Sequence, residues 1–257
     1  MPRRAIVVVL ALVVLFVGLP VVVFGTGLAM AFLGNRPLED GHALGPHVTT
    51  VVDQFAAVYV IDVDAEGDGV ALVDAGLAPE SLGAALRAHG VEPADVRAVF
   101  LTHGHRDHVG GIDALPNAQV YALSREVPLL QGEVASTSPM GRLTGASDSG
   151  VRLTRGLRHG DRVQVGGVEV LVWSIPGHTA GSAAYLARGV LFLGDSARGG
   201  GDGALRAAPW VFSDDTAQNA ASLRALAKEP ELRTAEVEHI VFGHTGPLEG
   251  AEALEAF

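Results

Sequence analysis

The chain has 257 residues, a length that fits one large α/β domain with an appendage. Its formal net charge of −11 disfavours general nucleic-acid binding, which needs a basic surface to neutralise phosphates. Cysteine is absent, so disulfides and thiolate metal ligands are excluded and thiols do not indicate a redox compartment.

The N-terminus is an apolar segment behind two arginines. Residues 5–24 are almost continuously apolar, which is long enough for a helix that crosses a hydrocarbon core. Arg3 and Arg4 are expected to stay cytoplasmic, which places the remainder of the chain outside. We therefore expect residues 1–35 to be a single-pass anchor in the cell membrane with an extracytoplasmic domain. The alternatives are a secretory signal cleaved near Ala29-Met-Ala31, giving a secreted protein, and a buried helix.

The next part of the chain alternates strand and helix patterns. Residues 36–47 are polar and rich in Gly and Pro, which is typical of a linker, and we expect one domain over 48–257. Alternation and turn spacing predict an antiparallel meander of strands over 48–52, 56–61 and 70–73. Periodicity then predicts these elements: a helix over 79–89, a strand over 96–101, one or two helical turns over 111–115, a strand over 119–122, and a short helix over 124–130 capped by Ser124.

An irregular stretch over 131–162 carries five arginines: Arg142, Arg152, Arg155, Arg158 and Arg162. Two interpretations remain open: a solvated loop, and a flap that presents cations to an anionic group of a substrate.

Strands, one loop and a helix are predicted in the C-terminal part of the chain. Hairpins are predicted over 163–173 and 183–193. The Gly-rich stretch 195–215 is predicted to be a loop in which Trp210 and Phe212 either line a pocket or belong to the core. A helix over 215–227 and a last strand over 239–242 follow.

The densest group of chemically useful side chains follows the strand over 96–101. Six consecutive positions, 103–108, contain four possible metal ligands: His103, His105, Asp107 and His108. Imidazole and carboxylate groups suit Zn²⁺ and similar cations. Residues two apart in extended backbone point the same way, so His103 and His105 can bind one ion while Asp107 and His108 face a second.

Four further motifs place a ligand-type residue after a predicted strand. They are residues 71–76 with Asp74, 174–181 with His178, 191–196 with Asp195, and 239–246 with His244. Together with the His-x-His-x-Asp-His cluster, these motifs resemble the signature of the metallo-β-lactamase superfamily over roughly residues 48–250.

This resemblance implies a metallo-β-lactamase-type α/β fold, an αββα sandwich, and two metal ions. His103, His105 and His178 would hold the first ion, and Asp107, His108 and His244 the second, with Asp195 between them. Two Zn²⁺ are expected, with iron or manganese as alternatives. Asp74 would accept an imidazole N–H and fix its tautomer, and Asp107 could also transfer a proton. Three threonines next to ligands could orient them likewise: Thr102, Thr179 and Thr245.

The expected activity is metal-dependent hydrolysis of an ester-like bond in a small molecule by metal-bound hydroxide. The motifs resemble most the thioesterase and lactonase branch, which includes hydroxyacylglutathione hydrolase. That enzyme carries a helical glutathione-binding domain, and we expect no such domain in the thirteen residues after His244. The absence of cysteine disfavours zinc β-lactamases with a cysteine ligand.

Three alternatives remain on the same site. One is a non-haem iron oxidoreductase, which bound iron and oxygen uptake would distinguish. The others are a phosphodiesterase and a membrane-tethered module whose metals are structural.

Overall fold

A computed structural model describes residues 19–64 and 69–257, with side chains from residue 21 onward. Most of the stretch 5–24, which was expected to cross a membrane, lies outside these residues. The first described helix is α1, Leu19–Phe32. Within the described part of the chain, no helix combines the length and the apolar character needed to span a bilayer.

Two six-stranded sheets form the framework. The strands of the first sheet follow each other in chain order: β1 Val48–Asp53, β2 Ala56–Asp62, β3 Val70–Val73, β4 Val96–Phe100, β5 Gln119–Leu123 and β6 Arg155–Leu157. The strands of the second are β7 Arg162–Val165, β8 Val168–Ser174, β9 Ala183–Ala187, β10 Val190–Phe192, β13 His239–Val241 and β14 Leu248–Glu249. The order in the second sheet is β14-β13-β10-β9-β8-β7.

Helices and short segments complete the described fold. The helices after α1 are α2 Pro79–Ala88, α3 Arg106–Val109, α4 Val127–Leu130, α5 Pro139–Thr144, α6 Thr216–Leu226, α7 Pro230–Thr234 and α8 Glu252–Glu255. A separate small hairpin pairs β11 Ala197–Gly199 with β12 Leu205–Ala207. Single 3₁₀ turns occur at Pro93–Asp95, Ile112–Ala114, Ser124–Glu126, Gly194–Ser196 and Trp210–Phe212.

The core is layered as an αββα sandwich. Apolar side chains from the facing surfaces of both sheets form the central layer, among them Phe100, Tyr185 and Phe192. Leu82 and Leu86 of α2 pack on the outer face of the first sheet. Leu223 and Leu226 of α6 pack on the outer face of the second. The expected four-layer α/β architecture is confirmed, because each sheet buries its second face beneath helices.

Three sequence predictions about irregular regions were wrong. The stretch 131–162 contains α5 and strand β6, and the stretch 195–215 contains the β11–β12 hairpin. The strand over 239–242 is not the last, since β14 pairs with β13 afterwards. These strands have only two or three residues, too few to show a period, and their partners across the sheet define them.

The predicted cap of the short helix over 124–130 was also wrong. Ser124 begins the 3₁₀ turn Ser124–Glu126, and no side chain caps this turn. Side-chain caps occur instead at Ser138, whose Oγ accepts from the Gly141 N–H at 2.9 Å, and at Asp215, whose carboxylate accepts from the Gln218 N–H at 2.9 Å. Each satisfies an N–H that the first turn of its helix leaves unpaired.

Strand direction brings the motif residues to one edge. β3 and β4 run parallel in the first sheet, and β10 and β13 run parallel in the second. β8 is antiparallel to β9, which is antiparallel to β10, so β8 points the same way as β10. Loops at the carboxyl ends of parallel strands meet at one edge of a sheet, and every motif residue follows such an end.

Candidate metal centre

All seven predicted ligands converge at this edge. His103 and His105 follow β4, and α3 carries Asp107 and His108. The remaining three side chains come from the second sheet, after β8, β10 and β13: His178, Asp195 and His244. Three overlapping groups place their ligand atoms within 4.8 Å of one another: His103 with His105 and His178, His103 with His108 and Asp195, and Asp107 with His108 and His244.

The first predicted trio is compact. His105 Nδ1 lies 3.0 Å from His103 Nε2 and 3.1 Å from His178 Nε2. Three imidazole nitrogens at these distances suit a tetrahedral or similar cation site.

The second trio lies beside it, with Asp195 between the two. His244 Nε2 is 3.2 Å from Asp107 Oδ2 and 3.2 Å from Asp195 Oδ2. Asp195 Oδ1 is 3.4 Å from His108 Nε2, and Asp195 Oδ2 is 3.9 Å from His178 Nε2 of the first trio. The Asp195 carboxylate therefore faces both trios, as a bridging ligand would.

The ring nitrogens that point away from the cluster have partners of their own. His108 Nδ1 lies 2.8 Å from Asp74 Oδ2, and His244 Nδ1 lies 2.9 Å from the Phe55 carbonyl oxygen. His178 Nδ1 is 3.2 Å from the Ser213 hydroxyl. These contacts occupy Nδ1 of each ring and direct Nε2 into the cluster.

Asp74 connects two parts of the site. Its carboxylate accepts from the Thr102 backbone N–H at 2.7 Å and from the Thr102 hydroxyl at 2.8 Å, in addition to His108. The Thr102 hydroxyl in turn lies 3.0 Å from His103 Nδ1. Asp74 has a φ of 63°, a left-handed conformation that aspartate tolerates better than most residues. The structure thus places Asp74 where the sequence predicted, next to a candidate ligand.

Of the three threonines, only Thr102 contacts a candidate ligand among the interactions described. The Thr179 hydroxyl donates to Glu126 at 3.0 Å, and the Thr245 hydroxyl accepts from the Gly199 N–H at 2.9 Å. Both therefore stabilise loops next to the ligands and do not orient a ring.

Burial and charge set the protonation of the candidate ligands. Burial, with the neighbouring histidines, lowers the pKa of His103, and it lowers the pKa of His178 to about 3. Both rings are neutral at physiological pH, the form that binds a cation. Burial would lower the pKa of His244 too, but the charge of Asp195 and a hydrogen bond with Asp107 outweigh it and raise this pKa to about 10. Burial raises the pKa of Asp107, but nearby His108 and His244 lower it to about 2.

The donor set fits a bound cation. Within the described residues, His108 Nε2 and Asp195 Oδ1 are buried atoms without a hydrogen-bond partner. An unpaired buried polar atom is costly, and both of these point into the cluster. A cation coordinated by His108 and Asp195 satisfies both atoms at once, and imidazole with carboxylate is a donor set that Zn²⁺, iron and manganese accept.

Glu126 is a site residue that sequence reasoning missed. Its carboxylate accepts from the Gly104 N–H at 2.6 Å and from the Gly181 N–H at 2.8 Å, besides Thr179. It thereby ties the loop of His103 and His105 to the loop of His178. Burial raises the pKa of Glu126 to about 7, although these hydrogen bonds oppose the shift. The only signal in the sequence was an acidic residue in a short apolar helix.

Phe55 was missed as well. Its ring stacks on the His244 ring at 5.8 Å between centroids, and its carbonyl oxygen is the partner of His244 Nδ1. The hairpin turn between β1 and β2 delivers it, with Gln54 at a positive φ of 61°. An exposed aromatic residue in a turn gave no indication of this contact.

A cleft of about 820 Å³ opens onto the cluster. Asp107, Asp195 and His244 lie at its base, and its walls include residues of α1 and of the segment 134–149. Of the two aromatic residues for which pocket wall and core both remained open, Phe212 lines the cleft, whereas Trp210 does not and packs against Gly27 of α1.

The five arginines over 131–162 do not line this cleft. Arg152 pairs with Asp148 at 2.8 Å, Arg155 pairs with Asp161 at 3.0 Å, and Arg162 pairs with both Glu169 and Glu231. Of the two interpretations, the solvated surface therefore fits these three residues, because acidic neighbours hold their side chains away from the cleft.

Comparison with known proteins agrees with this site. The family model of the metallo-beta-lactamase superfamily matches residues 51–244. The chain belongs to the metallo-beta-lactamase superfamily. The matched region contains every strand end that contributes to the metal centre, so this superfamily member carries its candidate site within the shared domain.

Curated relatives of this superfamily member include hydroxyacylglutathione hydrolases. The one from Aeromonas hydrophila is 36% identical over 138 residues, 52% of this chain and 44% of that protein. The one from Alkalilimnicola ehrlichii is 33% identical over 183 residues, 70% of this chain and 60% of that protein. The chain spans about half the length of the curated relatives it matches.

Solved structures share the fold at lower sequence identity. A B3 metallo-beta-lactamase with an active-site glutamic acid superposes with a TM-score of 0.61 and 22% identity, covering 88% of this chain and 86% of the other. A subclass B3 metallo-beta-lactamase of Bradyrhizobium japonicum gives a TM-score of 0.56 and 21% identity, covering 89% and 84%. At these identities the likeness concerns the fold alone.

Proposed function

We propose that the chain is a metal-dependent hydrolase that cleaves an ester-like bond in a small molecule, a thioester or a lactone. The observation that carries the proposal is the complete donor set. Seven imidazole and carboxylate side chains converge at the base of a cleft, and His108, His178 and His244 each have a partner for the outward ring nitrogen. The similarity to hydroxyacylglutathione hydrolases favours the thioester.

The residues of the chain have separable tasks in this scheme. Two divalent cations bound by the two trios would lower the pKa of water and polarise the scissile carbonyl. Asp195 faces both trios and fixes their separation. The ionised Asp107 carboxylate lies at the base of the cleft, where it can accept a proton from the attacking water at Oδ2. Asp74 and Phe55 hold the rings of His108 and His244 in orientation.

The proposal is tested by comparing reaction classes on the full-length protein loaded with Zn²⁺, Mn²⁺ or Fe²⁺. A hydroxyacylglutathione thioester, a lactone, a β-lactam and a phosphodiester are assayed with and without chelator. We expect chelator-sensitive turnover of the thioester or the lactone, and its loss in Asp195→Ala. His239→Ala is the matched control, because this histidine belongs to β13 but pairs with Glu249 away from the cluster.

Other outcomes point to the alternatives. Turnover of the phosphodiester alone would replace the ester class, and oxygen uptake by the iron-loaded protein would indicate an oxidoreductase. Full metal occupancy without turnover of any substrate would contradict the proposal and favour a non-catalytic module.

We also propose that residues 1–35 anchor the domain to the cell membrane, with the cleft on the extracytoplasmic side. The apolar run 5–24 behind Arg3 and Arg4 supports this proposal. Retention of the segment is favoured by the contacts of Ala31, which is buried and whose carbonyl oxygen accepts from Arg198 at 3.0 Å. Membrane fractionation with N-terminal sequencing tests it: recovery of a soluble chain that starts near Phe32 would overturn the anchor and favour a cleaved signal.

A further inference from the structure

The cleft is polar at its base and mostly apolar or small along its walls. Beyond the candidate ligands, the apolar residues that line it include Phe32, Phe55, Leu129, Val134, Met140 and Phe212. Its volume of about 820 Å³ falls within the range of about 300–1,000 Å³ that is common for ligand pockets. Arg106, Asp148 and Arg198 also line the cleft, but most of its walls favour a ligand with a polar group at the base and an apolar remainder.

One wall is the C-terminal end of α1, which is fixed to the domain. Arg198 donates to the Met30 and Ala31 carbonyl oxygens at 2.9 and 3.0 Å. The Phe32 ring meets the Phe212 ring edge-on at 6.4 Å between centroids, yet Phe32 remains 61% exposed. Phe32 is thus a large apolar side chain that is fixed at the cleft and still exposed there.

The segment 134–149 supplies another wall, and a polar network holds it. Asp214 accepts from the Ser136 hydroxyl and the Thr137 N–H, both at 2.7 Å, and from the Ser138 N–H at 3.1 Å. Val134, immediately before this network, lines the cleft and is 50% exposed. Val134 and Phe32 are therefore exposed apolar residues on elements that are each anchored by hydrogen bonds.

We propose that this cleft binds the hydrocarbon chain of an acyl substrate, with Phe32 of α1 and Val134 as the residues that select for chain length. The inference rests on the proposed hydrolase function, because the scissile carbonyl is placed at the metal centre and the chain extends along the walls. It assigns α1 a role in substrate binding, in addition to any role in anchoring.

The expected magnitude follows from apolar transfer. Each methylene that leaves water for the cleft should raise affinity or kcat/KM about fourfold, until the cleft is filled. A polar substrate, such as one whose acyl group is short and hydroxylated, would show no such dependence.

The test uses the full-length, zinc-loaded protein and two probes. Methyl n-alkyl ketones with five to eleven carbons place a carbonyl at the metal centre and have no bond to hydrolyse, so their Kd by calorimetry reports binding alone. Thioesters with four to ten acyl carbons report kcat/KM. The variants are Phe32→Asp and Val134→Asp. Their matched controls are Leu33→Asp and Leu143→Asp, neighbouring apolar residues that are 69% and 74% exposed and do not line the cleft.

In the wild-type protein and both controls, we expect Kd to fall about fourfold per carbon and then to level off. Phe32→Asp and Val134→Asp should weaken the longest ketones at least tenfold and leave the shortest unchanged. Affinity that is independent of chain length would overturn the inference. Equal losses in Leu33→Asp and Phe32→Asp would overturn it too, because the effect would then come from a shared lipid or detergent surface.

The two probes separate this inference from the proposed function. Chain-length-dependent ketone binding without turnover of either the thioesters or the lactone would defeat the hydrolase and keep the apolar cleft. Thioester turnover with the same kcat/KM for every chain length would keep the hydrolase and defeat the cleft assignment.

Discussion

Asp74 shows how one side chain organises a site without touching the cleft. It is buried, holds a left-handed backbone conformation at the end of β3, and binds His108 and Thr102 together. Through Thr102 its influence extends to His103 in the other trio. A carboxylate is needed because both of its oxygens accept hydrogen bonds: His108 and the Thr102 hydroxyl donate to Oδ2, and the Thr102 N–H donates to Oδ1. An amide nitrogen in place of either oxygen could not accept these bonds.

Asp74→Asn should lower metal affinity about ten- to a hundredfold, since the amide N–H₂ would face the His108 N–H. The measurement is competition with a chelator of known affinity, followed by calorimetry. Asp53→Asn is the control, because Asp53 is equally buried and accepts from the Leu77 N–H but contacts no candidate ligand. Unchanged metal affinity in Asp74→Asn would contradict this role.

Glu126 should make stability depend on pH in a specific direction. Burial raises its pKa from 4.5 to about 7, so between these values the folded state binds more protons than the unfolded state. The stability that protonated Glu126 contributes is therefore fully present below pH 4.5 and is lost as the pH rises through 7. The total loss in the free energy of unfolding is ~3 kcal/mol. In Glu126→Gln this contribution does not titrate.

Urea unfolding of the metal-free protein from pH 4 to pH 8 measures the difference. We expect the stability advantage of wild type over Glu126→Gln to shrink as pH rises. An advantage that stays constant over this range would show that the carboxyl group does not titrate there. Glu133→Gln, which makes the same charge change at an exposed position, provides a control for charge alone.

At the scale of elements, the end of α1 is attached to the β11–β12 hairpin. Arg198 of β11 donates to two helix carbonyl oxygens and to Asn35 Oδ1 at 3.1 Å, and Arg206 of β12 donates to the Gly34 carbonyl oxygen at 2.6 Å. The last carbonyl groups of a helix have no partner within it, so these arginines satisfy them. Neither the hairpin nor this attachment could be predicted from the apolar pattern of the N-terminus.

Arg198→Met should release the end of α1 while retaining the apolar part of the side chain. Loss of three hydrogen bonds should speed chymotryptic cleavage after the exposed Phe32 by about tenfold or more. Mass spectrometry of a digestion time course measures the rate. Arg152→Met is the control, because Arg152 pairs with Asp148 on the surface and exposed pairs contribute little. Equal cleavage rates in wild type and Arg198→Met would contradict the attachment.

At the scale of the whole molecule, the candidate metal centre draws its residues from both sheets. His103, His105 and His108 belong to loops of the first sheet, and His178, Asp195 and His244 to loops of the second. The sheets also meet through Tyr59, whose hydroxyl donates to the Phe242 carbonyl oxygen at 2.6 Å, and through Tyr185, whose hydroxyl donates to Leu101 at 2.7 Å. A cation bound by these residues would therefore link the two sheets, and this link would exist only in the folded state.

Removal of metal should therefore destabilise the fold. A cation present at a thousand times its Kd stabilises by about 4 kcal/mol, which corresponds to a fall in Tm of about 10 °C on chelation for a chain of this size. Calorimetry with and without chelator measures it. Asp195→Ala should have a lower Tm that chelator hardly changes. Identical Tm values for wild type in both conditions would contradict a metal link between the sheets.

Local patterns in the chain were enough to predict the longer elements and the motifs at their ends. The strand over 70–73 was predicted with the bounds it has, and the helix over 79–89 within one residue. The cluster over 103–108 was recognisable locally, because imidazole and carboxylate groups are dense there, whereas His178, Asp195 and His244 were selected through the resemblance to the superfamily motifs. Their chemistry depends on side-chain type, which the sequence states directly.

The tertiary structure decided the contacts between residues far apart in the chain. Glu126 joins the loops of Gly104 and Gly181, and Phe55 holds His244 across 189 positions. The end of α1 becomes a wall of the cleft, and Arg152, Arg155 and Arg162 turn to surface carboxylates. No local period encodes these arrangements, because they arise only when packing of the two sheets brings distant loops to one edge.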